Sequence, residues 1–127
     1  MKLFQPSFIP AVCWLVISTF LLVIPGNSFP QENWLDKIWF DKWVHIGLFA
    51  VMVVLWCRAM LRMNLAVVRR RKLFIFIAGL WLIYGIGMEF VQKYLVVNRS
   101  FDAGDIMADA VGCLAGLFYS MRSYIKK

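Results

Sequence analysis

The sequence predicts an all-α fold: an integral membrane bundle of four transmembrane helices with both termini in the cytoplasm. Three observations predict it. Of 127 residues, 62% are hydrophobic and only 17% are charged, with a mean hydropathy of +0.73, whereas a soluble domain carries about a quarter charged residues. Four stretches approach the about 20 apolar residues that a helical span needs. Lysine and arginine, finally, are divided unequally between the connections. In water such a chain would expose large apolar patches, and a bilayer removes that problem. The length fits one domain, residues 1–127.

The spans run about 8–24, 43–61, 73–92 and 105–121. The first ends at Pro25-Gly26, a helix stop. Lys2 alone precedes it and no small-x-small cleavage site follows before Gln31, so an uncleaved anchor is expected rather than a signal peptide. The third is free of charge from Leu73 to Glu89, and the fourth, as short as the first, starts with carboxylates.

Orientation follows from the basic residues. The N-terminus, the second connection and the C-terminal tail hold Lys2, Arg58, Arg62, Arg69, Arg70, Arg71, Lys72, Arg122, Lys126 and Lys127, ten in all. The first and third connections hold four: Lys37, Lys42, Lys93 and Arg99. Ten against four puts both termini inside. The net charge of +7 therefore reads as a positive-inside anchor near anionic lipid, and no nucleic-acid partner is expected. All seven acidic residues lie in or beside the two outer connections. Cys13, Cys57 and Cys113 sit in apolar runs without metal-type spacing and read as small buried hydrophobes.

Helical spacing gathers the polar residues at the outer face. Asp41 and His45, four apart, project from one side of the second helix. Glu89 and Gln92 share a face at the end of the third, continuing back through Gly85. Asp105 and Asp109 share a face of the fourth, on which Ala108, Gly112 and Gly116 form a small-x-x-x-small series for close helix contact. The carboxylates therefore belong to the protein-facing side. Arg99 and Asp102 lie in the short loop above. An ionisable group within a span is costly and marks function by default. Asp102 and Asp105 also suit a helix N-terminus, where they would cap and favour the dipole.

These residues carry a resemblance to the VanZ-like family of bacterial membrane proteins. The matching pieces are Asp41-Lys42-x-x-His45, then Gly85-x-x-x-Glu89-x-x-Gln92. The last is Arg99-Ser100-Phe101-Asp102-x-x-Asp105-x-x-x-Asp109-x-x-Gly112-x-x-x-Gly116. The ordered set covers essentially the whole chain. It departs at Asp109, where the family usually shows Asn; the extra carboxylate beside Glu89 and Asp105 calls for a proton or a cation. The family is named for a protein associated with low-level resistance to the glycopeptide teicoplanin. The resemblance thus implies the bacterial inner membrane, a cell-envelope context and a link to antibiotic resistance, without supplying a biochemical activity.

Three functions follow as expectations. The first is a non-enzymatic pocket of Asp41, His45, Glu89, Gln92, Arg99, Asp102, Asp105 and Asp109 that binds a lipid or a lipid-linked or cell-wall-related ligand. Arg99 and His45 would meet phosphate or carboxylate there, and Gln92 would orient it. The second is a membrane-embedded enzyme in which Asp41 orients His45 as general base. No cofactor is evident, but His45, Glu89, Asp105 and Asp109 are the donors that would hold a divalent cation. With no nucleophile motif and no two-histidine spacing, the non-enzymatic reading leads. A proton-coupled transporter subunit using Glu89 ranks last, because transporter sites lie near the midplane.

Overall fold

The computed structural model describes residues 8–23, 40–96 and 103–125, without the side chains of Phe40 and Asp41. Among the described residues the chain is helical, with no strand. Four α-helices follow in order: α1 (Ile9–Val23), α2 (Phe40–Ala59), α3 (Val67–Leu95) and α4 (Ala103–Tyr124). A 3-10 turn, Met60–Arg62, closes α2. The chain then leaves the helix at Met63, extended at ψ 121°, and re-enters at Val67 after Ala66, extended at ψ 155°. So short a link makes α2 and α3 antiparallel neighbours.

Two segments are long and apolar enough to cross a membrane, Lys42–Arg62 and Val67–Leu95. Helix α1 is apolar but has 15 residues, about 22 Å at the usual rise. Helix α4 is 22 residues long and carries Asp105, Asp109 and Arg122. The third helix starts six residues before the expected span, since Arg69–Lys72 lie in its first turns. Charge ends an apolar run without ending a helix, because Arg and Lys are good helix formers.

The core is built on the α2–α4 pair, the most extensive contact in the bundle. Its closeness comes from glycine. A Cβ on Gly112 would lie 2.5 Å from the Ile46 carbonyl oxygen, and one on Gly116 would lie 2.5 Å from that of Ala50. Both obstacles are backbone, so only hydrogen fits there. Phe49, Met52, Val53 and Cys57 of α2 pack with Phe74, Ile77 and Trp81 of α3 and Cys113 of α4.

Helix α1 leans on α2 and α3 through polar ties. Trp14 Nε1 donates to the Leu48 carbonyl at 2.9 Å, and the Thr19 and Tyr84 hydroxyls bond each other. Cys57 and Cys113 are buried, as expected, but Cys13 is exposed on the outer side of α1.

Polarity is distributed inside out relative to a water-soluble bundle. Ile9, Phe20, Ile83, Met107, Leu114 and Phe118 are each more than 60% exposed, while Glu89, Gln92 and Asp109 are 1% exposed. Apolar residues outside and carboxylates inside is the arrangement that a hydrocarbon solvent selects.

Candidate functional site

Three of the four helices bring charge to one end of the bundle. Helix α2 contributes Lys42 and His45 from its first turns, α3 contributes Glu89 from its last turns, and α4 contributes Asp105 and Asp109 from its beginning. On α3, Glu89 continues the buried stripe Phe74, Ile77, Ala78, Trp81, Gly85 and Met88. On α4, Asp105 and Asp109 continue the stripe Ala108, Gly112, Cys113 and Gly116. The packing that seats the glycines therefore also turns the carboxylates inward. Arg58, Arg62, Arg69, Arg70, Arg71, Lys72 and Arg122 occupy the opposite end, with no acidic residue beside them among the described residues.

At the centre, His45 Nδ1 and Asp109 Oδ1 lie 2.7 Å apart. An ionised carboxylate only accepts, so Nδ1 donates. The other ring nitrogen, Nε2, then faces Asp105 Oδ2 at 3.6 Å, beyond hydrogen-bond reach. Asp105 is held through its other oxygen, with Lys42 Nζ donating to Oδ1 at 2.7 Å. His45 and Asp105 are 4% and 7% exposed, and Glu89 and Asp109 are 1% exposed. At the rim, the Lys42 side chain is 23% exposed. The Phe49 ring lies parallel to His45, with centroids 6.5 Å apart and planes at 6°, which gives the cluster an apolar floor.

Gly85 is what lets the floor close. A Cβ there would stand 2.5 Å from Asp109 Oδ2 and 3.0 Å from Phe49 Cζ. One atom of α3 is thus omitted where the α4 carboxylate passes.

His45, Glu89 and Asp105, all buried, each offer a ligand atom within 4.8 Å of the other two. They form a group able to hold a metal ion. The Asp109–His45 pair also has the geometry of an oriented general base.

Not every expected residue joins. Gln92 is buried, but its Nε2 donates to the Leu22 carbonyl at 2.7 Å. Leu22 lies in the last turn of α1, where carbonyls lack helical partners. Gln92 therefore fastens α1 to α3 through its amide nitrogen. The described partner of His45 is Asp109; the side chain of Asp41, the expected one, lies outside the described residues, as do Arg99 and Asp102. Lys42 was legible in the Asp41-Lys42-x-x-His45 pattern only as a connection charge. Its position three residues before His45, on the same side of α2, was the available signal.

No family model, curated protein or solved structure matches the chain.

Proposed function

We propose that this is a VanZ-like protein of the bacterial cytoplasmic membrane. It crosses the bilayer four times, keeps both termini inside, and binds the headgroup of a lipid or cell-wall-related ligand at its outer polar end. Through that ligand it contributes to low-level resistance to teicoplanin-type glycopeptides. The observation that carries the reading is the convergence of Lys42, His45, Glu89, Asp105 and Asp109 from three helices at one end of a bundle whose outside is apolar.

The orientation is supported by the seven Lys and Arg residues at the other end, which the positive-inside rule places in the cytoplasm. Lys42, at the exposed edge of the cluster, supplies an ammonium of the kind that meets phosphate or carboxylate. An apolar groove of about 330 Å³ between α2 and α4, lined by Ala50, Val51, Val54, Ala115, Gly116 and Tyr119, begins about 7 Å below His45 at the helical rise. It suits an acyl chain whose headgroup sits at the cluster.

The experiment is glycopeptide susceptibility of cells carrying the parent or His45→Ala, Glu89→Gln or Asp105→Asn at matched membrane expression. Loss of resistance in the variants supports the reading; variants equal to the parent refute it.

The Asp109–His45 pair favours one second reading, a membrane-embedded and metal-dependent enzyme acting on a lipid-linked substrate. There His45 or a bound cation would activate water, and turnover of a lipid-linked substrate would be the readout.

A further inference from the structure

The buried end of the bundle gathers carboxylates around one imidazole. Glu89, Asp105 and Asp109 bring three carboxylates, and among the described residues Lys42 brings one ammonium. Buried charges persist where they are paired or coordinate metal.

The donor atoms are oriented as a metal would require. Metal-bound histidine characteristically donates its second ring N–H to a carboxylate, which fixes the tautomer and aims the first nitrogen. His45 does this already, with Nδ1 on Asp109 and Nε2 turned toward Asp105. Asp105 repeats the pattern, with Oδ1 held by Lys42 and Oδ2 turned toward His45. The separation of 3.6 Å between Nε2 and Oδ2 is close to the edge of about 3.4 Å between ligand atoms in a tetrahedron with bonds near 2.1 Å. Closing on Glu89 from at most 4.8 Å asks for side-chain rotation of about an ångström to reach such edges.

We propose that His45 Nε2 and one carboxylate oxygen each of Glu89 and Asp105 coordinate a divalent first-row metal cation of the Zn2+ or Mn2+ class. Asp109 acts as positioning residue through His45, and Lys42 does so through Asp105. One imidazole with carboxylates is a donor set for these ions. Three protein ligands leave a coordination position for water or for a ligand's phosphate or carboxylate. The inference rests on this end being the ligand site and adds the ion at its centre.

The chain contains one histidine, which makes the test direct. The full chain is purified in detergent through a tag free of histidine, stripped with chelator, and titrated with Mn2+ alone and Zn2+ alone. Stoichiometric binding is expected, together with modulation of the bound Mn2+ spin echo by a single imidazole nitrogen, which needs no variant to assign. Glu89→Gln and His45→Ala should lose binding by more than about 100-fold, and Asp109→Asn by about 10- to 100-fold, the range for removing a carboxylate behind a ligating histidine. Gln92→Ala should bind as the parent does. No stoichiometric metal, no nitrogen modulation, or full retention in monodisperse His45→Ala would overturn the proposal. Metal binding that persists alongside an unchanged susceptibility phenotype would remove the headgroup reading and leave the cation site standing.

Discussion

His45 Nδ1 and Asp109 Oδ1 meet at 2.7 Å across 64 positions of sequence, inside the interface that Gly112 and Gly116 draw together. The pair ties α2 to α4 at the same place where the candidate ligands converge. Folding and function are therefore expected to share residues here, and the variants below separate them.

Removing one member of a buried hydrogen-bonded pair leaves the other unsatisfied, at a cost of about 1–3 kcal/mol and more where that group is charged. Asp109→Ala should therefore lower thermal stability in detergent markedly. The double variant His45→Ala/Asp109→Ala should cost much less than the sum of the single ones. Additive losses would show that the two side chains are not coupled.

Glycine positions should divide by what faces them. Gly112→Ala and Gly116→Ala drive a methyl into a backbone carbonyl and should destabilise by about 1–3 kcal/mol, as overpacking does. Gly79→Ala meets nothing within 4 Å and should stabilise by up to about 1 kcal/mol through helix propensity. Unfolding midpoints of the three variants check the ranking.

Gly85→Ala is expected to act as a site variant. Its methyl would displace the Asp109 carboxylate and with it the orientation of His45. Metal binding and resistance should fall toward the Asp109→Asn level, while Gly87→Ala, with open space around it, behaves as the parent. Equal behaviour of the two would contradict the role given to Gly85.

Gln92→Ala should loosen α1 without touching the cluster. It leaves the Leu22 carbonyl without its side-chain donor, a loss of about 1–3 kcal/mol where the group is buried. Hydrogen exchange should rise in the last turn of α1, with metal binding per folded molecule unchanged. A lost metal site would mean that Gln92 belongs to the cluster after all.

Much of this architecture was legible in the sequence because helical periodicity carries it. The four-residue spacing of Asp105, Asp109 and the small residues placed the carboxylates on the packing face of α4. Glu89 followed from the apolar stripe of α3. Hydrogen-bond partners on other helices were not legible. Gln92 finds a backbone carbonyl of α1, and every residue offers a carbonyl, so nothing in the sequence selects Leu22. Asp109 as a partner of His45 was not legible, because the rotation of α2 against α4 is set by the contacts of Gly112 with Ile46 and Gly116 with Ala50, each 66 positions apart. The early start of α3 was hidden for a different reason. Hydropathy marks where an apolar run begins, while Arg69–Lys72 extend the helix beyond it.

The central claim is a membrane bundle whose polar end faces outward. Labelling of single cysteines with a membrane-impermeant maleimide tests it most directly, in a chain with Cys13, Cys57 and Cys113 replaced by Ala. Trp43 beside the cluster and Met63 at the basic end are 65% and 49% exposed. Trp43→Cys should label in intact cells, and Met63→Cys only after permeabilisation. The reverse pattern, or protection of both until lysis, would contradict the account.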